Sequence, residues 1–273
     1  MSEPIRVLLI GDVVGTPGRE VLQTQLPLLR ERFRPHRVIA NVENARNGSG
    51  LTPDLAQRFL ALGIDGLTLG DHVYRDRRVV PLLEDPATPV ARPANLSAAA
   101  PGKRMLRIPA GGDCPRDLYV FTVLGRIGMG LPADDPFASA DALIATLPER
   151  NPLILVEAHM EATSEKAAMG LHLDGRVSAV FGTHTHVPTA DARILRGGTG
   201  FISDLGMTGP YDSVIGRDAA AVLRHMTTGV HVPYEVGRGR EAVGGCCVEL
   251  DAASGRCRRI ESFVEPAWTR GSP

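Results

Sequence analysis

Five short apolar runs in this 273-residue chain end in residues able to bind cations. Residues 5–10 lead into Gly11-Asp12, 37–42 into Glu43-Asn44, and 66–69 into Gly70-Asp71-His72. The run from Leu153 closes on Glu157-Ala158-His159, and 177–181 lead into Gly182-Thr183-His184-Thr185-His186. Carboxylates and imidazoles are donor types that suit iron, manganese and zinc. If the runs are strands of an open α/β sheet, their carboxyl ends border one crevice and gather these groups there. Residues two apart on extended backbone project to the same side, which would turn His184 and His186 together.

Each piece alone has an ordinary reading. An Asp after a strand caps a helix or turns the chain. Glu43-Asn44 reads equally as a polar loop, and His159 as a hydrogen-bonded core histidine. Together they say more. Carboxylates converging without a cation would repel one another strongly, and the donors outnumber what one tetrahedral ion takes. The joint pattern predicts a dinuclear metal site. His36, His172, His225 and His231 lie away from strand ends of this kind and are read as structural or surface residues.

The elements that must position these groups follow from periodicity. Apolar residues near helical spacing predict helices over 17–33, 53–62, 138–147 and 163–170, the second with Thr52 as N-cap and Pro53 at its first position. The five runs read as short buried strands over 5–10, 37–42, 66–69, 153–156 and 177–181. Residues 90–112 are rich in Pro, Ala and Gly and read as irregular, whereas 244–250 and 256–264 predict a β-hairpin. Strand–helix alternation argues for an α/β fold, and the late strand pair for a mixed sheet or two stacked sheets. With no repeat or linker, one domain is expected over 1–273, irregular from about 265.

Composition bounds the function. Thirty basic against thirty-one acidic residues leave a formal charge of −1, so no global field points to nucleic acid or an anionic membrane. No apolar run approaches the roughly 20 residues that cross a bilayer, and the N-terminus lacks a secretory layout. The four cysteines form no CxxC pair and read as reduced thiols. A soluble cytoplasmic protein without a membrane partner is expected.

At the ligand-type residues the sequence resembles the YmdB-like branch of the calcineurin-type metallophosphoesterases. The matching segments include Ile10-Gly11-Asp12-Val13-Val14-Gly15, Asn41-Val42-Glu43-Asn44-Ala45, Gly70-Asp71-His72 and Arg92-Pro93-Ala94-Asn95. The longest block runs from His159-Met160-Glu161-Ala162-Thr163-Ser164-Glu165-Lys166 to Gly209-Pro210-Tyr211-Asp212. The resemblance implies a four-layer α/β/β/α sandwich with metals at the sheet ends. It further implies that Asp12, Glu43 and His186 hold one ion, and Asp71, His159 and His184 the other, with Glu43 shared. Asn44 would lie beside the first ion. The ions would be iron or manganese, with zinc third. One departure stands out: the family's usual Gly-Asn-His is here Gly70-Asp71-His72. The extra charge either favours a higher-valent ion or is drift between isosteric oxygen donors, and the sequence does not choose.

The implied reaction is hydrolysis of a phosphodiester by water activated between the two ions, with His72 as general acid protonating the departing alkoxide. The expected substrates are 2′,3′-cyclic nucleotides, with RNA or another diester as further options, and a homo-oligomer is expected. Phe201 and Tyr211 are residues that could stack on a base or simply pack. Two rivals have less support. An amide or lactone metallohydrolase would call for a pattern such as HxHxDH, but His186 is followed by Val187-Pro188-Thr189. A regulatory or RNA-associated protein in which catalysis is secondary would not need candidate ligands at every strand end.

Overall fold

A computed structural model describes residues 3–147 and 151–266. The expected α/β architecture is present as two stacked sheets. The first contains β1 (Ile5–Ile10), β2 (Asp12–Val13), β3 (Arg37–Asn41), β4 (Gly66–Thr68) and β5 (Val90–Ala91). The second is built on β6 (Leu106–Ile108), β7 (Leu118–Leu124), β8 (Leu153–His159), β9 (Ala179–Thr183), β10 (Arg193–Ile194) and β11 (Gly200–Ile202). Three late strands, β12 (Met207–Pro210), β13 (Glu241–Leu250) and β14 (Cys257–Glu265), return to the first sheet. Its order is β2-β12-β13-β1-β3-β4-β5, with β14 on the other edge of β13; the second sheet runs β10-β11-β9-β8-β7-β6.

Side-chain alternation along the strands builds the layers. In β1, Val7 and Leu9 meet Leu118, Val120, Leu153, Leu155 and Phe181 of the second sheet. Leu8 and Ile10 point the other way, toward Leu22, Leu26 and Leu29 of α1 (Gly15–Phe33) and Phe59 of α2 (Pro53–Ala61). A further small helix, α3 (Val80–Glu84), adds Leu83 to that layer. On the outer face of the second sheet, Ile154, Val156 and Ala158 pack on α4 (Pro136–Ile144) and α5 (Thr163–His172) through Ala140, Leu143 and Met169. The result is the expected α/β/β/α sandwich. Helix α6 (Ala219–Thr228) follows β12 and buries only Val222.

Several expectations need correction in detail. Interior strands β7, β11 and β12 have no counterpart among the expected elements, although β7, LYVFTVL, is buried throughout and apolar but for Thr122. The stretch 90–112 is not wholly irregular, since it contributes β5 and β6. Strand β8 extends to His159, because Glu157 and His159 continue the inward-facing set begun by Leu153 and Leu155. The N-cap at Thr52 is present, its side chain accepting from Leu55 N–H, with Pro53 opening the helix. The hairpin of β13 and β14 pairs Val248 with Ile260 and Gly244 with Val264. Of the tail expected to be irregular, residues 267–273 lie outside the described residues.

Strands β1, β3, β4 and β5 are parallel, as are β7, β8, β9 and β11. Their carboxyl ends form one edge of the sandwich, where ligand crevices occur in such sheets.

Candidate metal centre

Glu43, Asp71, His159 and His184 each place one ligand atom within 4.8 Å of the other three. Glu43 lies two residues beyond β3, where Asn41 Oδ1 accepts from its backbone N–H at 3.0 Å and its Oε2 accepts from His72 N–H at 2.9 Å. Asp71 Oδ1 is 3.0 Å from His159 Nε2 and 3.3 Å from His184 Nδ1. His159 closes β8 and is fully buried, and its Nε2 lies 3.3 Å from Glu43 Oε1. The two sheets therefore contribute equally to this cluster.

The other sequence-predicted residues border it. Asp12, in β2, accepts at Oδ2 from His184 N–H at 3.1 Å, while its buried Oδ1 has no hydrogen-bond partner among the described residues. His186 Nδ1–H donates to Ile215 C=O at 2.8 Å, which leaves Nε2 as an acceptor 3.2 Å from Asn44 Nδ2. Asn44 also joins the next pair, because its Oδ1 accepts from His72 Nδ1–H at 2.7 Å. All eight residues are thus linked through short contacts at one edge of the sandwich.

One premise about them fails. His184 and His186 do not sit on extended backbone: their φ values are +91° and +65°. Non-glycine residues there cost about 1–3 kcal/mol each and persist only where surroundings hold them. The surroundings here include Asp204, whose Oδ2 accepts from the Thr185 hydroxyl at 2.7 Å and from Thr185 N–H at 3.3 Å. The strand-end argument brings both imidazoles to the site, but a constrained loop, not strand alternation, orients them.

The electrostatics fit a cation. Burial pushes the Asp12 carboxyl up to about 7, even against the pull of His159 beside it. Burial likewise works against an ionised Glu43, but the charge and hydrogen bond of His159 and the hydrogen bond from His72 outweigh it, holding Glu43 below the usual range. For His159, burial opposes the imidazolium, yet Glu43 and Asp71 hold its pKa well above the ordinary value. A field that retains a proton on a buried imidazole is also one that attracts a metal ion. Room is reserved too. Gly70 has no side chain, and a Cβ there would overlap His159 Nε2 and stand 2.5 Å from Glu43 Oε2. An orphaned carboxylate oxygen, a mixed imidazole–carboxylate donor set and this cleared space fit a hard or borderline cation.

Sequence reasoning did not single out Asn41, Thr183, Lys166 or Asp204, which support the cluster from behind. Nothing in a local pattern distinguishes them from ordinary core-edge polar residues. Phe201 is not available to stack on a base, since it is 1% exposed and packs against the Arg193 guanidinium. Among the described residues, no helix is long and apolar enough to cross a membrane.

Comparison with known proteins agrees with the fold. The model of the family described as YmdB-like protein matches residues 8–263. A 2′,3′-cyclic-nucleotide 2′-phosphodiesterase of Bacillus subtilis (strain 168) is 41% identical over 260 residues, covering 95% of this chain and 97% of that protein. A hypothetical protein of Thermus thermophilus superposes with a TM-score of 0.86 at 40% identity, covering 95% of this chain and 98% of the other. A structure described as a novel phosphatase from Mycoplasma pneumoniae gives 0.89 at 28% identity, covering 97% and 94%. With the family model matching nearly the whole chain and a relative 41% identical over 260 residues, the chain belongs to the YmdB-like protein family.

Proposed function

We propose that this protein is a metal-dependent phosphoric diester hydrolase that acts on 2′,3′-cyclic nucleotides at a dinuclear centre. The observation that carries the reading is the Glu43–Asp71–His159–His184 cluster with His72 on its rim. The name of the Bacillus subtilis relative supports the substrate class. Asp12, Glu43 and His186, with Asn44 beside them, would hold one ion, and Asp71, His159 and His184 the other, with Glu43 shared. Iron or manganese is the proposed ion, with zinc third, all three being compatible with these donors. Bound there, such ions would neutralise charge on phosphoryl oxygens and bring the pKa of water toward neutrality.

The chain's own residues supply the proton. His72 Nδ1–H is held by Asn44 Oδ1, so its Nε2 is the position that can release a proton to a leaving group. Burial opposes protonation of His72, but the hydrogen bond and charge of Glu43 and the charge of Asp71 raise its pKa above the ordinary value. That direction favours the protonated imidazole, the form that protonates a departing alkoxide. Its ring is half-buried, so it can meet substrate from the solvent side.

The test compares wild type with His72→Ala on diesters carrying a nitrophenol and an alkyl leaving group. The alkyl ester should slow by about 10²–10⁴-fold and the nitrophenyl ester far less, because a good leaving group needs no proton. Equal slowing of both removes His72 as the acid. Absence of diester hydrolysis by the metal-loaded wild type removes the reading.

A further inference from the structure

The layer between the sheets changes character along its length. Deep in the sandwich, Leu153 and Leu155 of β8 and Phe181 of β9 face Val7, Leu9 and Ile39 across it. Continuing the same alternation toward the site, the inward positions become Asn41 on β3, Thr122 on β7, Glu157 on β8 and Thr183 on β9. All four are buried, and Glu157 is fully so. Burying a carboxylate is costly unless hydrogen bonds saturate it. Here Asn41 Nδ2–H and Thr183 Oγ1–H donate to Oε1 at 2.6 and 2.7 Å, and Thr122 Oγ1–H donates to Oε2 at 3.1 Å. Among the described residues, Glu157 makes no ion pair with a lysine or arginine.

Proton counting then constrains His159. A threonine hydroxyl has one proton, and a carboxylate can only accept. The Thr183 proton is committed to Glu157, so the hydroxyl can only accept from His159 Nδ1, 2.9 Å away. Nδ1 therefore carries the hydrogen, and the other ring nitrogen points at Asp71 and Glu43. The same carboxylate receives Asn41 from the opposite sheet, and Asn41 Oδ1 also accepts from Glu43 N–H. One buried group thus connects the ligand-bearing ends of both sheets.

We propose that Glu157, acting through Thr183 and Asn41, is a positioning residue. It fixes His159 in the Nδ1–H tautomer with Nε2 free for a metal and holds the Glu43 turn in register with it. The inference rests on the metal-centre reading above. Partners that hydrogen-bond the far nitrogen of a metal-binding histidine typically contribute 10–100-fold to metal affinity.

The experiment titrates the chelator-stripped full chain with Mn²⁺ and measures its metal-free unfolding midpoint separately. Thr183→Ser keeps the hydroxyl and should bind Mn²⁺ within about twofold of wild type. Thr183→Val keeps the β-branched shape suited to a strand and should bind about 10–100-fold more weakly. Glu157→Gln, whose amide can turn a donor toward Thr183, should weaken binding in the same direction. If Thr183→Val lowers the unfolding midpoint but leaves Mn²⁺ affinity at the wild-type value, the role is structural only and the proposal falls. Ring-nitrogen chemical shifts of His159 in the Zn²⁺-loaded wild type give a check that needs no variant. A proton on Nδ1 supports the proposal, and a proton on Nε2 overturns it. A wild type that binds neither Mn²⁺ nor Zn²⁺ overturns the metal centre itself, an outcome distinct from selective failure of the variants.

Discussion

Lys166 Nζ lies 2.5 Å from Asp204 Oδ2, and both side chains are only 1% exposed. The pair sits directly behind the loop that carries His184 and His186, because the same Asp204 oxygen accepts from the Thr185 hydroxyl. Its other oxygen accepts from Gly206 N–H at 2.8 Å. Asp204 is therefore the group through which α5 and the β11–β12 connection hold two histidines in an uncommon backbone conformation.

Replacing Lys166 with Met should expose the cost of that arrangement. Asp204 would remain buried without its counter-charge, and breaking such a pair from one side destabilises by about 3–5 kcal/mol. Urea denaturation of the metal-free protein measures this. A loss below about 1 kcal/mol, the range of exposed pairs, would show that other donors already neutralise Asp204.

Gly70→Ala tests the cleared space at the centre. Its Cβ would overlap His159 Nε2 and crowd Glu43 Oε2, whose side chains come from opposite sheets and have little room to retreat. Bound metal and hydrolysis should fall together, while far-ultraviolet circular dichroism stays at the wild-type level. Full metal content in this variant would show that the ions sit elsewhere.

Asp71→Asn removes one negative charge while retaining an oxygen donor. Because ligand charge sets cation affinity, Mn²⁺ binding should weaken by about tenfold or more. Competition against a chelator of known affinity reads the change. Unchanged affinity would show that the charge of Asp71 does not set cation affinity.

Acid stability should depend on Asp191. Burial would raise its carboxyl, but hydrogen bonds from the Ser203 and Thr189 hydroxyls, Ser203 N–H and Arg193 bring it from 3.8 down to about 2. A depressed carboxyl stabilises the fold above its unfolded pKa, and that contribution is lost as pH falls from about 4 through 2. Unfolding midpoints of wild type should therefore drop across this window. Asp191→Asn, less stable at neutral pH, should drop less. Parallel pH profiles would assign the acid sensitivity to other groups.

The alternation of short apolar runs with helical spacing was enough to specify an α/β fold. The residue types closing those runs were enough to name Asp12, Glu43, Asp71, His159, His184 and His186, and the family resemblance added Asn44 and His72. These features are legible because a strand and the group at its carboxyl end are contiguous, so one local pattern encodes both. Strand β7 carried the apolar signal but ends at Leu124 and leads into Gly125, with no such group to draw notice.

Tertiary structure decided the rest. Asn41 meets Glu157 across 116 positions of sequence, and Lys166 meets Asp204 across 38. The φ values of His184 and His186 reverse the reason, though not the result, of the HxH reading. Hydrogen bonds and ion pairs act over about 3 Å, and only the stacking of two sheets brings such distant side chains that close. The sequence by itself determined which donors this protein has, and packing decided which proton each holds and where each points.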